Sequence, residues 1–349
     1  MTFADRLVRD WYTPRLTPLT AALAPAAPLF RAVTAARRGL YRAGVFRSER
    51  LPVPVVVIGN ITVGGSGKTP LVIALVEALG ARGWHPGIVS RGYGSKNRVP
   101  RAVGADAVAD SVGDESLLLA RTGCPVWVGV DRPGAARALL AAHPECDVIV
   151  ADDGLQHYTL VRDVEIAVVD ASRGLGNGLP LPAGPLREPR SRLGEADAVV
   201  LLGGNPTGAF GREFAMTFVG DRFVRVGANQ ASADAQAFRR AGVHALAGIG
   251  NPQRFFDHLQ SLGIAASCHA LPDHHRFTRQ DLELPGATAI LMTEKDAVKC
   301  TAFADDRCWA LPIEAVVDPK LFALVEEKLR GSKVARNTGV PGHQGAADI

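Results

Sequence analysis

The sequence predicts an α/β protein: a doubly wound, mostly parallel sheet followed by a second, smaller α/β unit. Three observations carry this. Short apolar runs rich in valine, isoleucine and alanine alternate with helix-favouring stretches through most of the 349 residues, the pattern of strands joined by helical crossovers. Several of those runs end in glycine, aspartate or serine, which gathers polar groups at the strands' carboxyl ends, where open α/β sheets hold ligands. Near residues 203–228 the texture changes to two short strand-like runs, and a fresh strand–helix alternation starts at 243.

A chain of 349 residues has room for two domains, each with its own core. The composition, 47% hydrophobic and 21% charged, is ordinary for a soluble α/β protein, and a net charge of +4 does not argue for a nucleic-acid partner. The five cysteines, Cys124, Cys146, Cys268, Cys300 and Cys308, form no CxxC pair and are odd in number. That fits a reducing compartment and speaks against a disulfide framework or a zinc site. There is no internal repeat, and no obligate protein partner is indicated.

The elements follow in order. Residues 1–50 are basic through arginine alone, interleaved with Leu16, Leu19, Leu23, Leu29, Phe30, Val33, Leu40, Tyr41 and Phe46. Pro25 and Pro28 are expected to break the most apolar part, and Arg31 to end it, leaving no uninterrupted apolar run of the ~18 residues a membrane span needs. Asp5 and Asp10 in the basic region argue against a signal peptide. Such a segment either lies on an anionic bilayer, arginines toward headgroups, or packs on the protein's own core as a helical hairpin. Residues 53–58 read as a buried strand, the glycine-rich stretch after them as a turn, and 71–79 as an amphipathic helix. Next come a strand over 87–90, a basic glycine-rich loop over 91–96, a helix over 116–121, a strand over 126–130 and a helix over 135–142. Strands over 146–151, 164–169 and 198–202 complete the first unit, with a long glycine- and proline-rich loop over 170–189. The runs 214–219 and 222–226 are expected to form a short antiparallel pair around Gly220-Asp221. The second unit reads as strand 243–249, helix 252–262, strand 289–293, helix 296–301, strand 308–312 and helix 320–329. The expected parts are therefore a basic helical segment over 1–50, a loop-bearing core over 51–212, a smaller α/β domain over 213–330 joined by the antiparallel pair, and an unstructured polar tail over 331–349.

The most informative stretch is Gly64-Gly65-Ser66-Gly67-Lys68-Thr69-Pro70, lying between a strand and a helix. That is the context of a phosphate-binding loop and makes the first unit P-loop NTPase-like. Glycines let the backbone curl so that N–H groups face phosphate oxygens, beside the positive end of a helix. Lys68 is expected to reach the β- and γ-phosphates and the Thr69 hydroxyl to sit on Mg²⁺. Pro70 is tolerated in a first helical turn, and Thr62 stands where the usual pattern has glycine.

Four other groups could do chemistry. Asp152 and Asp153 close an apolar strand as a Walker B acid does, so either carboxylate could hold Mg²⁺; an ordinary turn with an aspartate cap is the bland alternative. Gly113-Asp114-Glu115 opens a helix, where acids are also favoured simply by the dipole. Asp273-His274-His275 offers an Asp–His pair able to polarise a base, or else a structural pair. The 170–189 loop is rigid, charged and too long for a plain connection, as a ligand-binding loop is.

Together these segments resemble the tetraacyldisaccharide 4′-kinase family, the lipid A 4′-kinases of Gram-negative bacteria. The resemblance runs from about residue 54 to 329. It rests, in family order, on Val57-Ile58-Gly59-Asn60 with Gly64 to Pro70, Ser90-Arg91-Gly92-Tyr93-Gly94, Gly113-Asp114-Glu115 and Asp152-Asp153-Gly154-Leu155-Gln156-His157. It continues through Arg173-Gly174-Leu175-Gly176-Asn177-Gly178, the run 182–189, Gly248-Ile249-Gly250-Asn251-Pro252, Asp273-His274 and Thr293-Glu294-Lys295-Asp296-Ala297-Val298-Lys299. It implies transfer of the ATP γ-phosphate, with Mg²⁺, to the 4′-hydroxyl of a tetraacylated disaccharide 1-phosphate, giving lipid IVA. It implies a peripheral protein on the cytoplasmic face of the inner membrane, with the amino-terminal segment on the lipid. By motif position it implies Asp114 as general base with His274 its partner, and Thr62, Val63, Gly64, Gly65, Ser66, Gly67, Lys68 and Thr69 around the nucleotide. Lys68 and Asp153 fall among the catalytic groups, and Thr69, Asp152, Asp153 and Gln156 around the metal. Glu115, Arg132 and Glu188 are further active-site residues, while His157, His275, Lys96 and Arg98 receive no role. Where the family often has phenylalanine two residues before the Asp–His pair, this chain has Leu271. The rival readings are a soluble P-loop kinase of a small metabolite and a nucleotide switch. A guanine-specific switch usually carries Asn/Thr-Lys-x-Asp, and here Lys295 and Asp296 are adjacent.

Overall fold

A computed structural model describes residues 3–13, 15–92, 99–104, 106–227 and 231–338. Three helices lead: α1 (Phe3–Trp11), α2 (Pro18–Leu23) and α3 (Ala27–Arg42). The first unit continues with β1 (Val55–Gly59), α4 (Lys68–Gly80), β2 (Pro86–Ser90), β3 (Arg101–Ala102), α5 (Ala109–Val112), α6 (Asp114–Ala120), β4 (Val126–Val128), α7 (Arg132–Ala142), β5 (Val148–Asp152), β6 (Val164–Asp170), β7 (Ala198–Leu202) and β8 (Glu213–Val219). The second has β9 (Arg222–Arg225), β10 (Ser232–Asp234), β11 (Val243–Ala247), α8 (Pro252–Ser261), β12 (Ser267–Ala270), β13 (Ala289–Thr293), α9 (Glu294–Cys300) and β14 (Cys308–Leu311). The chain then returns through β15 (Glu314–Val317) and α10 (Pro319–Thr338).

The large sheet runs β15-β8-β7-β6-β1-β5-β2-β4-β3, and the smaller one β10-β9-β14-β13-β11-β12. In the large sheet only the edge strands β3 and β15 run antiparallel. β1 lies between β5 and β6, with Val56 beside Val150 and Val164. Its side chains alternate between two cores: Val56 and Ile58 pack with Leu71, Leu75, Leu321 and Val325, whereas Val55 and Val57 pack with Ala135, Leu139 and Ile149. Helices on both faces bury the strand fully, which is why it reads as an unbroken apolar run. From β1 the chain moves one way to β2, and from β5 it moves the other way to β6. That reversal opens a crevice at the carboxyl end of β1, where the glycine-rich loop sits.

The structure corrects four expectations. The runs 214–219 and 222–226 are strands but do not pair with each other. β8 pairs with β15, Thr217 opposite Val316, while β9 pairs with β10 and β14 in the other sheet. Gly220-Asp221 is a crossing between sheets rather than a hairpin turn. The return crossing lies against it, since a side chain on Gly220 would strike the Pro312 carbonyl. An antiparallel pair, β8 with β15, does stand at the junction, but within the large sheet, and the units are joined by the two crossings at its end, β8 to β9 and β14 to β15. The boundaries at 212 and 330 shift accordingly: β8, β15 and α10 belong to the first unit, with Leu321, Val325 and Leu329 buried in its core. The tail over 331–338 continues α10 instead of lacking structure. Lys333 binds Asp147 at 2.7 Å and lies 4.0 Å from the centre of the Trp84 ring, and Arg336 binds Asp163 at 2.9 Å. Residues 339–349 lie outside the described residues.

The fourth correction concerns Pro25 and Pro28. Each occupies a first-turn position, where no intrahelical N–H bond is lost, so α2 and α3 join through a short 3₁₀ turn over Ala24–Ala26. Pro18–Arg42 is a single helical run of 25 residues, long and apolar enough by length and composition to cross a membrane. Its solvent face carries Leu29, 69% exposed, and Val33, 59% exposed. Its other face holds the core through arginines: Arg38 and Arg42 bind Glu195, and Arg37 donates to the Gln156 carbonyl at 3.2 Å.

Candidate active site

The glycine-rich loop leaves β1 and ends at α4, whose first residue is Lys68. Gly64 and Gly67 take φ of +100° and +88°, the left-handed region that favours glycine. At Gly67 a side chain would also meet Leu202 and Phe218. The front half of the loop is tied to the 170–189 loop: the Val63 N–H donates to the Pro185 carbonyl at 2.9 Å, and Arg187 Nε to the Thr62 carbonyl at 3.1 Å. Lys68 Nζ rests on Asn60 Oδ1 at 3.4 Å and Asp153 Oδ1 at 3.5 Å. Thr62, Ser66 and Thr69 are buried, and Ser66 Oγ has no hydrogen-bond partner among the described residues.

Asp152 ends β5 fully buried, with the Ser90 hydroxyl 3.4 Å from Oδ2 and, among the described residues, no partner on Oδ1. Burial, with Glu115 and Asp153 nearby, pushes its carboxyl up to about 7. A buried acid with an orphaned oxygen and other acids around it is a place for a cation. Asp153 follows at a φ of +47°. Burial would raise it, but Lys68 and Arg187, the latter 3.3 Å away, outweigh burial and hold it far below the usual carboxylate range. Thr69, Asp152 and Asp153 offer the hard oxygen donors that Mg²⁺ prefers, with phosphate and water completing such a shell. Among the described residues no group of three or more His, Cys, Asp and Glu side chains is arranged as an all-protein metal site.

Three of the family-implied residues act behind this surface. Gln156 commits its amide nitrogen to the Asn60 carbonyl at 3.0 Å and to Glu188 Oε1 at 2.6 Å. Glu188 is buried and also accepts from the Tyr158 hydroxyl at 2.8 Å, with Arg192 Nε at 3.3 Å. Its contacts make it a brace for Gln156. Arg132, 1% exposed, donates to the Gly129 carbonyl at 3.1 Å and the Asp152 carbonyl at 3.0 Å, which fixes the end of β5. Burial lowers it to about 10 although Asp152 and Asp153 oppose that.

The other half of the site is drawn from both units. α6 carries Asp114 in its first turn, buried, and the loop after β12 carries His274 at a φ of +59°. His274 Nδ1 lies 3.0 Å from Asp114 Oδ2 across the two units. Burial would raise Asp114, but the bond from His274 and the charges of Lys295 and Lys299 hold it below its ordinary value. Burial would lower His274, and its bond to Asp114 raises it instead. Lys295, from the start of α9, binds Glu115 at 3.0 Å and Asp273 at 3.5 Å, and stands 3.5 Å from His274 Nε2. Thr293 caps α9, its hydroxyl accepting from the Asp296 N–H at 3.2 Å and donating to the Asp296 carboxylate at 2.7 Å, and that carboxylate also accepts from the Gly248 N–H at 3.0 Å. Lys295 and Asp296 therefore serve the dyad and the fold, not a guanine base.

The raised His274 and depressed Asp114 set opposite pH limits on what the pair adds to stability. A depressed acid contributes above its unfolded value, about 3.9, and loses this as pH falls through its folded one. A raised histidine contributes fully below about 6.5 and loses this as pH rises through its folded value. Thermal unfolding followed from about pH 5 to about pH 9 should therefore show a loss on the alkaline side that is smaller in His274→Ala.

On the opposite side of the loop, Asp170 binds Arg254 and accepts from Asn251 Nδ2 at 3.1 Å, while Arg173 NH1 donates to the Gly250 carbonyl at 2.6 Å. Gly250 lies so close that a side chain there would strike the Gly65 N–H. The cleft between the units is a cavity of about 470 Å³ bounded by the 65–70 turn, Glu115, Ile249, Arg254, Lys295 and Ile313. It brings the loop and the neighbourhood of the dyad to one space. His157 is held neutral by burial, which lowers it to about 4, and His275 is spent on Asp281 at 3.2 Å. Lys96 and Arg98 lie outside the described residues. Asn60, Ser90, Arg187, Lys295 and Lys299 belong to the site without having been assigned roles from the sequence. Asn60 directly follows β1 and both lysines sit in the 293–299 motif, so their positions carried the signal.

The chain matches the model of the family described as tetraacyldisaccharide-1-P 4′-kinase over residues 19–330. It is 52% identical over 317 residues to the tetraacyldisaccharide 4′-kinase of Azoarcus sp. (strain BH72), covering 90% of this chain and 93% of that one. It is 48% identical over 329 residues to the enzyme of the same name from Methylobacillus flagellatus, covering 94% and 97%. Among solved structures it resembles LpxK from Aquifex aeolicus in complex with ATP, with a TM-score of 0.74 and 28% identity, over 89% of this chain and 99% of that one. With a matched region running through the loop, the dyad and the second unit, the chain belongs to the tetraacyldisaccharide 4′-kinase family.

Proposed function

We propose that the protein transfers the γ-phosphate of ATP to the 4′-hydroxyl of tetraacyldisaccharide 1-phosphate, a step of lipid A biosynthesis, at the cytoplasmic face of the inner membrane. The observation that carries it is the Asp114–His274 pair, 3.0 Å apart and drawn from two units that close over the phosphate loop. A nucleotide switch needs no such base, whereas a sugar hydroxyl does, because it is a poor nucleophile.

In this reading the N–H groups of 64–69 and the α4 amino terminus bind the triphosphate, and Lys68 swings from Asp153 to the β- and γ-oxygens. Thr69, Asp152 and Asp153 would hold Mg²⁺, which supplies electrostatic stabilisation of the phosphoryl oxygens when bound. As the new O–P bond forms and the bond to the β-phosphate oxygen breaks, the 4′-hydroxyl proton passes to Asp114 and ADP leaves. His274 orients the Asp114 carboxylate, and Lys295 supports the pair. Because the dyad spans two units, it assembles only on closure, which limits transfer to water. The exposed Leu29 and Val33 beside arginines support seating of the Pro18–Arg42 run on an anionic bilayer.

Purified protein with labelled ATP, Mg²⁺ and the tetraacyl disaccharide 1-phosphate should give a doubly phosphorylated lipid; ATP turnover that ignores the lipid would refute the reading. Asp152→Asn should abolish most of this activity, by about 10²-fold or more. Without metal its melting temperature should match or exceed the parent's, since the change removes a buried acid that Glu115 and Asp153 crowd and whose ionised form burial disfavours.

A further inference from the structure

The amino-terminal arm also reaches the phosphate loop. Trp11 is buried; its indole Nε1 donates to the Pro182 carbonyl at 2.9 Å, and its own carbonyl accepts from the Asn177 N–H at 2.8 Å. The next residue, Tyr12, donates its hydroxyl to the Val63 carbonyl at 2.7 Å. The Arg173 guanidinium covers the Tyr12 ring at 4.3 Å while bonding the Gly250 carbonyl of the second unit. Tyr12 thus sits where the arm, the loop and the closing unit meet.

A trans peptide holds its carbonyl and the following N–H antiparallel. A loop that aims N–H groups inward at an anion must therefore aim the preceding carbonyls outward, and an outward carbonyl that is buried needs a donor. The Thr62–Val63 peptide is spent on the 170–189 loop, its carbonyl on Arg187 and its N–H on Pro185, so the first peptide free to face a phosphate is Val63–Gly64, and there Tyr12 supplies the donor. The peptide that Tyr12 holds carries the N–H of Gly64, which has a φ of +100° and whose own carbonyl takes a longer bond, 3.4 Å, from Asn60 Nδ2. Turned over, that peptide would present a carbonyl dipole to the phosphates. Burial raises the Tyr12 phenol above its ordinary value, so it keeps the proton it donates.

We infer that Tyr12 is a positioning residue for the phosphate loop, through which the amino-terminal arm sets nucleotide affinity. The inference rests on the reading of that loop as the ATP site. It gives the arm a role in nucleotide binding in addition to contact with lipid.

The test uses full-length Tyr12→Phe, which keeps the ring under Arg173 and loses only the donor. KM for ATP, and Kd for a nonhydrolysable ATP analogue, should rise about three- to tenfold, the size of one lost neutral hydrogen bond. KM for the lipid and kcat should stay within about twofold. Trp11→Phe drops the bond to Pro182 and leaves the Tyr12 hydroxyl in place, so it should keep KM for ATP within about twofold. Unchanged ATP binding in Tyr12→Phe, a parallel rise in both KM values, or an equal effect of Trp11→Phe overturns the inference. If the parent protein binds no nucleotide, the ATP reading falls with it; if the parent binds and Tyr12→Phe is silent, the inference alone falls.

Discussion

Asp114→Asn is expected to lower kcat by about 10²–10⁴-fold while leaving KM for ATP within a few-fold. The substitution keeps the size of the side chain and can still accept from His274, so the fold and the meeting of the two units persist. What disappears is the ability to take a proton. Asp114 is suited to that task because His274, Lys295 and Lys299 hold it ionised despite burial. A base below its ordinary value is weak in the ground state, which matches a transfer in which the hydroxyl gives up its proton late. His274→Ala should cost less than Asp114→Asn, because it removes the orienting partner and leaves the acceptor. Steady-state kinetics with both substrates varied separate these effects, and unfolding curves check that each variant is folded. Activity of Asp114→Asn within a few-fold of the parent would remove Asp114 from the chemistry.

Lys68→Met should be the other large loss, at least about 10²–10³-fold in kcat/KM. The methionine fills similar space without the charge that stabilises the dissociating phosphoryl group. Lys68 is also one of the cations that depress Asp153, with Arg187 and Arg132. The variant should therefore raise the Asp153 carboxyl toward its ordinary value and move the acid limb of any residual activity to higher pH. Lys68→Arg should not restore activity, because the planar fork of arginine does not replace a compact ammonium against a curled backbone.

Much of this site is legible in the sequence because it is local. A strand, three glycines, Gly-Lys-Thr and a helix fix the loop within one βα unit, and Asp152 is visible because an apolar strand stops there. The Asp114–His274 contact joins residues 160 positions apart. Only the family resemblance suggests it, because no local pattern links a helix start to a distant loop. The hairpin over 214–226 misled for a related reason. Alternation and a Gly-Asp turn identify two strands, yet a strand's partner is decided by which sheet has an open edge, and here the chain crosses between sheets at Gly220. Pro25 and Pro28 look like breakers until their first-turn positions are known. Gln156 looks like a metal ligand because it is polar beside the Asp152-Asp153 motif, while its hydrogen bonds to Asn60 and Glu188 are long-range facts.

The most direct test of the account is a crystal structure of the full-length protein with a nonhydrolysable ATP analogue and Mg²⁺. The account predicts the triphosphate on the N–H groups of 64–69, Lys68 moved from Asp153 to the phosphates, and the Asp114–His274 pair facing the terminal phosphoryl group. A nucleotide bound elsewhere, with the loop empty and Lys68 still on Asp153, would contradict it.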